Sequence, residues 1–189
     1  MRTLVIFRGS PASGKSTFIR EHNLEQFTLS ADEIRLMYQA PVLKADGSYG
    51  ISCLNDKQVW RTLFEILEGR MARGEFVVVD ATNSKTAEMN NYKKIAETYR
   101  YRIICVDMTD VPIEECKKRN RLRQPAYKAV PDYVIDNQYS RFSSQQIPSW
   151  IKVIKPQEFE EEIQFKTIDL SNYKKIHHIG DIPVSYTHL

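Results

Sequence analysis

Apolar runs alternate with amphipathic stretches along most of the chain. "TLVIF" (3–7), "FVVVD" (76–80) and "YRIICVD" (101–107) are short and apolar on both faces, the pattern of strands buried inside a parallel sheet. "FTLS" (27–30) reads as a fourth, shorter strand. Between them the period changes to that of a helix. One helix is expected from about Lys15 to His22. A second starts at "SADEIRLMYQ", where Ser30 and Glu33 have the spacing of a capping box. A long third helix from Asn55 sets Val59, Leu63, Ile66, Leu67 and Met71 on one face, and Gly74 ends it. A fourth from about Lys85 turns Met89, Tyr92, Ile95 and Tyr99 inward. Two more are expected near Pro112 and from Pro131, since proline suits a first helical turn. "PVLKADGSYGIS" (41–52) has turn chemistry and reads as an exposed loop. Strands alternating with helices give an α/β fold of three layers, a parallel sheet flanked by helices.

Composition narrows the class. A chain of 189 residues, 42% hydrophobic and 27% charged, suits one globular domain with room for a fragment of another. No run is long enough to span a membrane, and the apolar part of "MRTLVIFRGS" is too short for a secretory signal, which predicts a cytoplasmic protein without a membrane partner. Cys53, Cys105 and Cys116 lack any metal-ligand spacing and are expected as reduced thiols in or near the core. The net charge of +3 is too small to identify a nucleic-acid partner, but "KKRNRLR" (117–123) is locally very basic and "EFEEE" (158–162) acidic.

The chemistry concentrates behind the first strand. "GSPASGKST" (9–17) fits G-x-x-x-x-G-K-[ST], with a strand before it and a helix after. Glycines let the backbone turn several N–H groups onto an anion. Lys15 suits the β- and γ-phosphates, and the Ser16 hydroxyl suits Mg²⁺. The loop is therefore read as a site for ATP, with Gly9, Ser10, Ala12, Ser13, Gly14, Lys15, Ser16 and Thr17 as its contacts. "VVVDATN" ends in Asp80 and Ala81, so the Asp-Glu pair usual in motors is missing, which favours a kinase.

A kinase needs a carboxylate beside the acceptor hydroxyl. Asp32 lies just beyond the second strand, near the sheet edge where ligands bind, and Arg35 shares its helix face. Such a pair suits an acceptor carrying a hydroxyl and a nearby phosphate; an exposed Asp–Arg pair without function fits the spacing equally. Arg119, Arg121 and Arg123 stand where a lid would bring cations to the transferred phosphoryl group, although a solvated basic face or a localisation signal has the same composition. Tyr38, Tyr49 and Trp60 are either base-stacking surfaces or packing residues, packing being the commoner role.

Taken in order, "GSPASGKST", "SADEIR", "VVVDATN" and "KKRNRLRQPAYKAVPDYVI" resemble the 5′-hydroxyl polynucleotide kinase family, which includes the kinase domains of phage T4 polynucleotide kinase and of bacterial RNA-repair kinase-phosphatases. The resemblance covers about residues 3–145. It implies an adenylate-kinase-like P-loop fold with an arginine-bearing lid, and transfer of the ATP γ-phosphate to the 5′-OH of single-stranded or end-exposed DNA or RNA in nucleic-acid repair. By the same resemblance Asp32 is the general base and Arg35 binds the phosphate after the terminal nucleotide. Arg123 stabilises the γ-phosphoryl group and Arg119 borders the adenine, while Asp80, Thr82 and Asn83 line the acceptor site. The spacing of Asp80 to Asn83 varies within the family, so the part played by Asp80 stays open. A kinase of a small metabolite or of aminoacyl-tRNA, and a non-catalytic nucleotide-binding module, remain the alternatives.

Residues 1–162 are thus expected to form the kinase domain. Beyond them "IQFKTIDL" and "KKIHHIGDI" read as strands, and "HHIGDI" is similar to the opening of calcineurin-type metallophosphoesterases. Pro183 stands where that family has histidine, so Asp181 is given no metal. Residues 163–189 therefore read either as a linker and the truncated start of a second domain or as a last strand of the first. "VSYTHL" (184–189) matches the translation of a sequencing adapter, so an artefactual tail is expected there.

Overall fold

The structure is a computed structural model that describes residues 2–163. The expectations for the segment that follows, including Asp181 and the "VSYTHL" tail, lie outside the described residues.

The strands β1 (Thr3–Arg8), β2 (Thr28–Ser30), β5 (Val77–Asp80), β6 (Arg102–Asp107) and β7 (Lys152–Ile154) form one sheet in the order β2-β5-β1-β6-β7. Every pairing in it is parallel. The helices are α1 (Lys15–Glu21), α2 (Ala31–Tyr38), α3 (Asp56–Ala72), α4 (Thr86–Asn90), α5 (Lys93–Tyr99), α6 (Ile113–Arg121), α7 (Asp132–Ser144) and α8 (Phe159–Glu162). The first strand sits at the centre of the sheet, so the loop leaving it opens at the middle of the carboxyl edge.

Alternation along the strands builds the layers. Leu4, Ile6, Val77, Val79, Ile103 and Cys105 face one side and pack with Ile34 of α2, Val59, Leu63, Leu67 and Met71 of α3, and Tyr92 and Ala96 beside and on α5. Val5, Phe7, Val78, Ile104 and Val106 face the other and meet Phe18, Ile19, Leu24 and Phe159. Two such faces around one sheet are the three-layer α/β arrangement that the apolar runs require.

Four local expectations change. The 41–52 segment is not simply a loop: β3 (Val42–Leu43) and β4 (Tyr49–Gly50) pair antiparallel as a hairpin. Ile66 lies at the margin of the α3 stripe and is 40% exposed. The helix expected from Lys85 is two short helices, broken around Asn91 and Tyr92. The strand β7 was not foreseen because "KVI" is three residues long with two of them exposed; its pairing with β6 defines it. Among the cysteines, Cys105 and Cys116 are buried, whereas Cys53 is exposed.

Candidate active site

The loop between β1 and α1 is shaped by close approach. A Cβ on Gly9 would lie 2.6 Å from Ser13 Oγ and 3.2 Å from Met108 Cβ, so that position requires glycine. Ala12 (φ +61°) and Gly14 (φ +104°) are left-handed, and residues alternating in this way turn successive N–H groups to one side, a concavity suited to an anion. Lys15 is only 8% exposed. Its Nζ donates to the carbonyls of Gly9 (2.8 Å) and Ser10 (2.7 Å) and to Ser13 Oγ (3.4 Å). Burial pulls its pKa down to about 8; the fields of Asp80 and Asp32 oppose the shift and that of Arg123 adds to it. Ser10 Oγ is buried and makes no hydrogen bond among the described residues.

The parallel register then brings the acidic groups together. Ser30 at the end of β2 lies beside Asp80 at the end of β5. Ser16 Oγ donates to Asp80 Oδ2 at 2.9 Å. This places Asp80 against the P-loop serine, on the side where Mg²⁺ would sit between the protein and the phosphates. A P-loop hydroxyl and a strand-end carboxylate form the donor set such an ion takes in P-loop enzymes. The described residues hold no cluster of three metal-ligating side chains, so these two would share the ion with the nucleotide rather than cage it.

Asp32 and Arg35 start α2, whose N-terminus is capped by Ser30 Oγ accepting from Glu33 N at 3.4 Å. Arg35 Nη1 donates to Asp32 Oδ1 at 2.8 Å and its Nε to Asp56 Oδ1 at 2.7 Å. The guanidinium side chain is 14% exposed and held between two half-exposed carboxylates. Burial opposes its charge, but the hydrogen bond it donates to Asp56 and the fields of both acids outweigh it and raise its pKa. Asp56 is a site residue that sequence reasoning missed. It opens a different helix, and no local spacing links it to Arg35.

The segment after β5 braces the end of β1 and the loop behind it. Asn83, expected at the acceptor site, is buried and left-handed (φ +42°). Its Nδ2 donates to Phe7 O at 2.7 Å, and its Oδ1 accepts from the Tyr92 hydroxyl at 3.4 Å. The amide ties β1 to the α4–α5 junction and faces the core, because a buried backbone carbonyl at the end of β1 needs a donor. Thr82 accepts from Gly9 N at 3.2 Å through its carbonyl and so braces the P-loop.

The basic segment forms the C-terminal half of α6 and opens the connection to α7. Asn120, 2% exposed, closes it: Nδ2 donates to Val130 O (2.7 Å) and Oδ1 accepts from Val130 N (3.0 Å). Lys117 bridges to Asp136 at 2.7 Å and joins the two helices. Within this frame the arginines divide. Arg119 is steered by Glu115 (2.7 Å) and its Nη1 lies 3.8 Å from the point a Cβ on Gly14 would occupy, over the P-loop. Arg123 donates to Lys128 O (2.9 Å) while its charge reaches Lys15. Arg121 instead pairs with Asp132 at the exposed surface. On the far side, Arg8 at the end of β1 donates to Phe142 O and Gln145 O at the end of α7, with its guanidinium 5.3 Å from the Phe142 ring centre. The end of α7 is thereby fastened to the strand that carries the phosphate loop.

Three likenesses bear on this site. A candidate bifunctional polynucleotide kinase/RNA ligase of Autographa californica nuclear polyhedrosis virus is 28% identical over 148 residues. That match takes in 75% of this chain but 21% of the viral protein, so the chain spans about a fifth of that relative. The solved Pnkp1/Rnl/Hen1 complex contains a chain 24% identical, with a TM-score of 0.51 over 68% of this chain and 45% of that one. Chaetomium thermophilum Kti12, solved with ADP-AlF3, is 17% identical with a TM-score of 0.53 over 80% and 88% of the two chains. Among the described residues, no helix is long and apolar enough to cross a membrane. Residues 4–144 match the AAA domain family AAA_33, and the chain belongs to that family, as a kinase-like P-loop domain similar to polynucleotide kinases.

Proposed function

We propose that this chain transfers the γ-phosphoryl group of ATP to the 5′-hydroxyl of a DNA or RNA end. The observation that carries the reading is the Asp32–Arg35 pair on α2, the helix that follows Ser30, which pairs in the sheet with Asp80, the carboxylate bonded to Ser16 of the phosphate loop. A switch or motor needs no such pairing of a carboxylate and a guanidinium beside the phosphate loop. The likeness to the viral polynucleotide kinase/RNA ligase supports the same substrate class.

The backbone of 9–17 and Lys15 hold the β- and γ-phosphates, for which Lys15 exchanges its bonds to the Gly9 and Ser10 carbonyls. Ser16 and Asp80 would hold Mg²⁺, which neutralises charge on the phosphates when bound. Asp32 gives one oxygen to Arg35, which fixes the carboxylate, and its Oδ2 takes the proton of the attacking 5′-OH. The hydroxyl oxygen bonds to the γ-phosphorus as the bond to the β-phosphate bridging oxygen breaks and ADP leaves. Arg35 donates through Nε and Nη1 to its two acids, leaving Nη2 for the phosphate that follows the terminal nucleoside. Arg123 meets the charge on the transferred group from the lid.

Incubation with labelled ATP, Mg²⁺ and 5′-OH DNA and RNA oligonucleotides tests this directly. Labelled oligonucleotide is expected from the wild type. Asp32→Asn should lower transfer by roughly 10²- to 10⁴-fold with ATP binding retained. Label appearing only on a free metabolite, or an Asp32→Asn enzyme as active as wild type, would refute the assignment.

A further inference from the structure

A cavity of about 510 Å³ opens between the β3–β4 hairpin and the lid, lined by Pro41, Gly47, Ser48, Tyr49, Ala126 and Tyr127. Its lining is mostly apolar, and its volume is in the range of small-ligand sites. Tyr49 remains 59% exposed there, so its ring is presented rather than packed. The hairpin touches the turn Ala126–Lys128, so the two walls meet.

Both walls are continuous with the proposed chemistry. The hairpin is the link between α2, which carries Asp32 and Arg35, and α3, which opens with Asp56. The opposite wall lies three residues beyond Arg123, whose Nη1 bonds to Lys128 O. The cavity is therefore walled on one side by the segment that follows Asp32 and Arg35 in the chain and on the other by the segment that follows Arg123. Charge there suits an anionic occupant. The Lys44 side chain lies across Gly50, where a Cβ would collide with it, and Lys128 adjoins Tyr127. The nearby Asp46 carboxylate is engaged by the N–H and hydroxyl of Ser48.

We propose that this cavity is a subsite for a nucleobase of the acceptor strand, interior to its 5′ end, stacked by Tyr49 and Tyr127 with Lys44 and Lys128 beside its phosphodiester. The proposal rests on the polynucleotide reading of the active site and adds to it a contact outside the reacting atoms. Aromatic stacking accepts any base, so the subsite confers preference for a strand over a single nucleotide without choosing its sequence.

The test uses a short 5′-OH oligothymidylate labelled with fluorescein at its 3′ end, its binding followed by anisotropy and its phosphorylation in parallel. Replacing both Tyr49 and Tyr127 by leucine should weaken binding by at least roughly 5- to 150-fold, the loss of one stacked base. Tyr49→Phe with Tyr127→Phe keeps the rings and should bind as wild type does. In the leucine variant, phosphorylation of a nucleoside 3′-monophosphate and the KM for ATP should stay unchanged, which also shows that the protein is folded. Unaltered oligonucleotide affinity in the leucine variant overturns the subsite. So does an equal loss for the mononucleotide, or a raised KM for ATP with strand binding intact, which would assign the cavity to the donor adenine. Tight, tyrosine-dependent binding without phosphorylation would sustain the subsite and sink the transfer reaction instead. Wild-type protein that binds no oligonucleotide sinks the subsite.

Discussion

Ser16 Oγ donates to Asp80 Oδ2 across 2.9 Å, joining the first turn of α1 to the end of β5. The bond gives Asp80 a place that its sequence neighbours left open, against the P-loop serine where the proposed Mg²⁺ would sit. Asp80→Asn keeps the hydrogen-bonding shape and removes the charge. It is expected to raise the Mg²⁺ concentration for half-maximal phosphoryl transfer roughly 10- to 100-fold. Titration of activity with Mg²⁺ checks this; an unchanged midpoint would remove Asp80 from the metal side.

The buried Lys15 makes the stability of the nucleotide-free protein depend on pH. Its folded pKa of about 8 lies below the ordinary lysine value of 10.5, chiefly through burial. Between those values the unfolded chain binds the extra proton, so this group makes stability rise with pH across that window. The rise is roughly 3 kcal/mol at most. Urea unfolding of wild type and Lys15→Met at pH 7 and at pH 10 should show wild type gaining on the variant at the higher pH. The same variant is expected to lose phosphoryl transfer.

Asp56 acts through Arg35. With Asp56→Asn, Arg35 loses a charged partner and its guanidinium is less firmly placed beside Asp32. The expected result is a KM for 5′-OH oligonucleotide raised roughly 10- to 100-fold, with the KM for ATP unchanged. Steady-state kinetics with each substrate varied in turn separate the two. An equal effect on ATP would mean that Asp56 merely supports the fold.

Asn120 closes the connection between α6 and α7 through both polar atoms of its amide. Asn120→Ala leaves the N–H and C=O of Val130 without these partners and should cost roughly 1–3 kcal/mol in urea unfolding. Transfer should fall further than stability alone explains, because Arg119 and Arg123 flank the residue. Asn120→Asp, which retains the acceptor but not the donor, should lie between.

The central strands were legible because both faces of each are apolar over a short run, a signal every residue contributes to locally. The P-loop was legible for the same reason: Gly9, Gly14, Lys15 and Ser16 act through a loop whose shape is set within nine residues. The hairpin was hidden by its brevity, two residues in each strand. Asn83 was placed at the acceptor by motif alone. Its amide reaches Phe7, 76 residues earlier in the chain, whose carbonyl accepts from Nδ2 next to the end of β1.

What the sequence determined by itself is therefore the alternation of buried strands and helices and the phosphate-holding loop, both written in periods and spacings of a few residues. Tertiary structure alone decided that Asp80 meets Ser16, that Arg35 is shared with Asp56, that Asn120 closes the connection between α6 and α7 and that the hairpin closes against Tyr127. Each of these contacts depends on sheet register or helix packing between separate segments. A side chain's partner across such a gap is fixed by where the whole core places both backbones, and no local pattern carries that information.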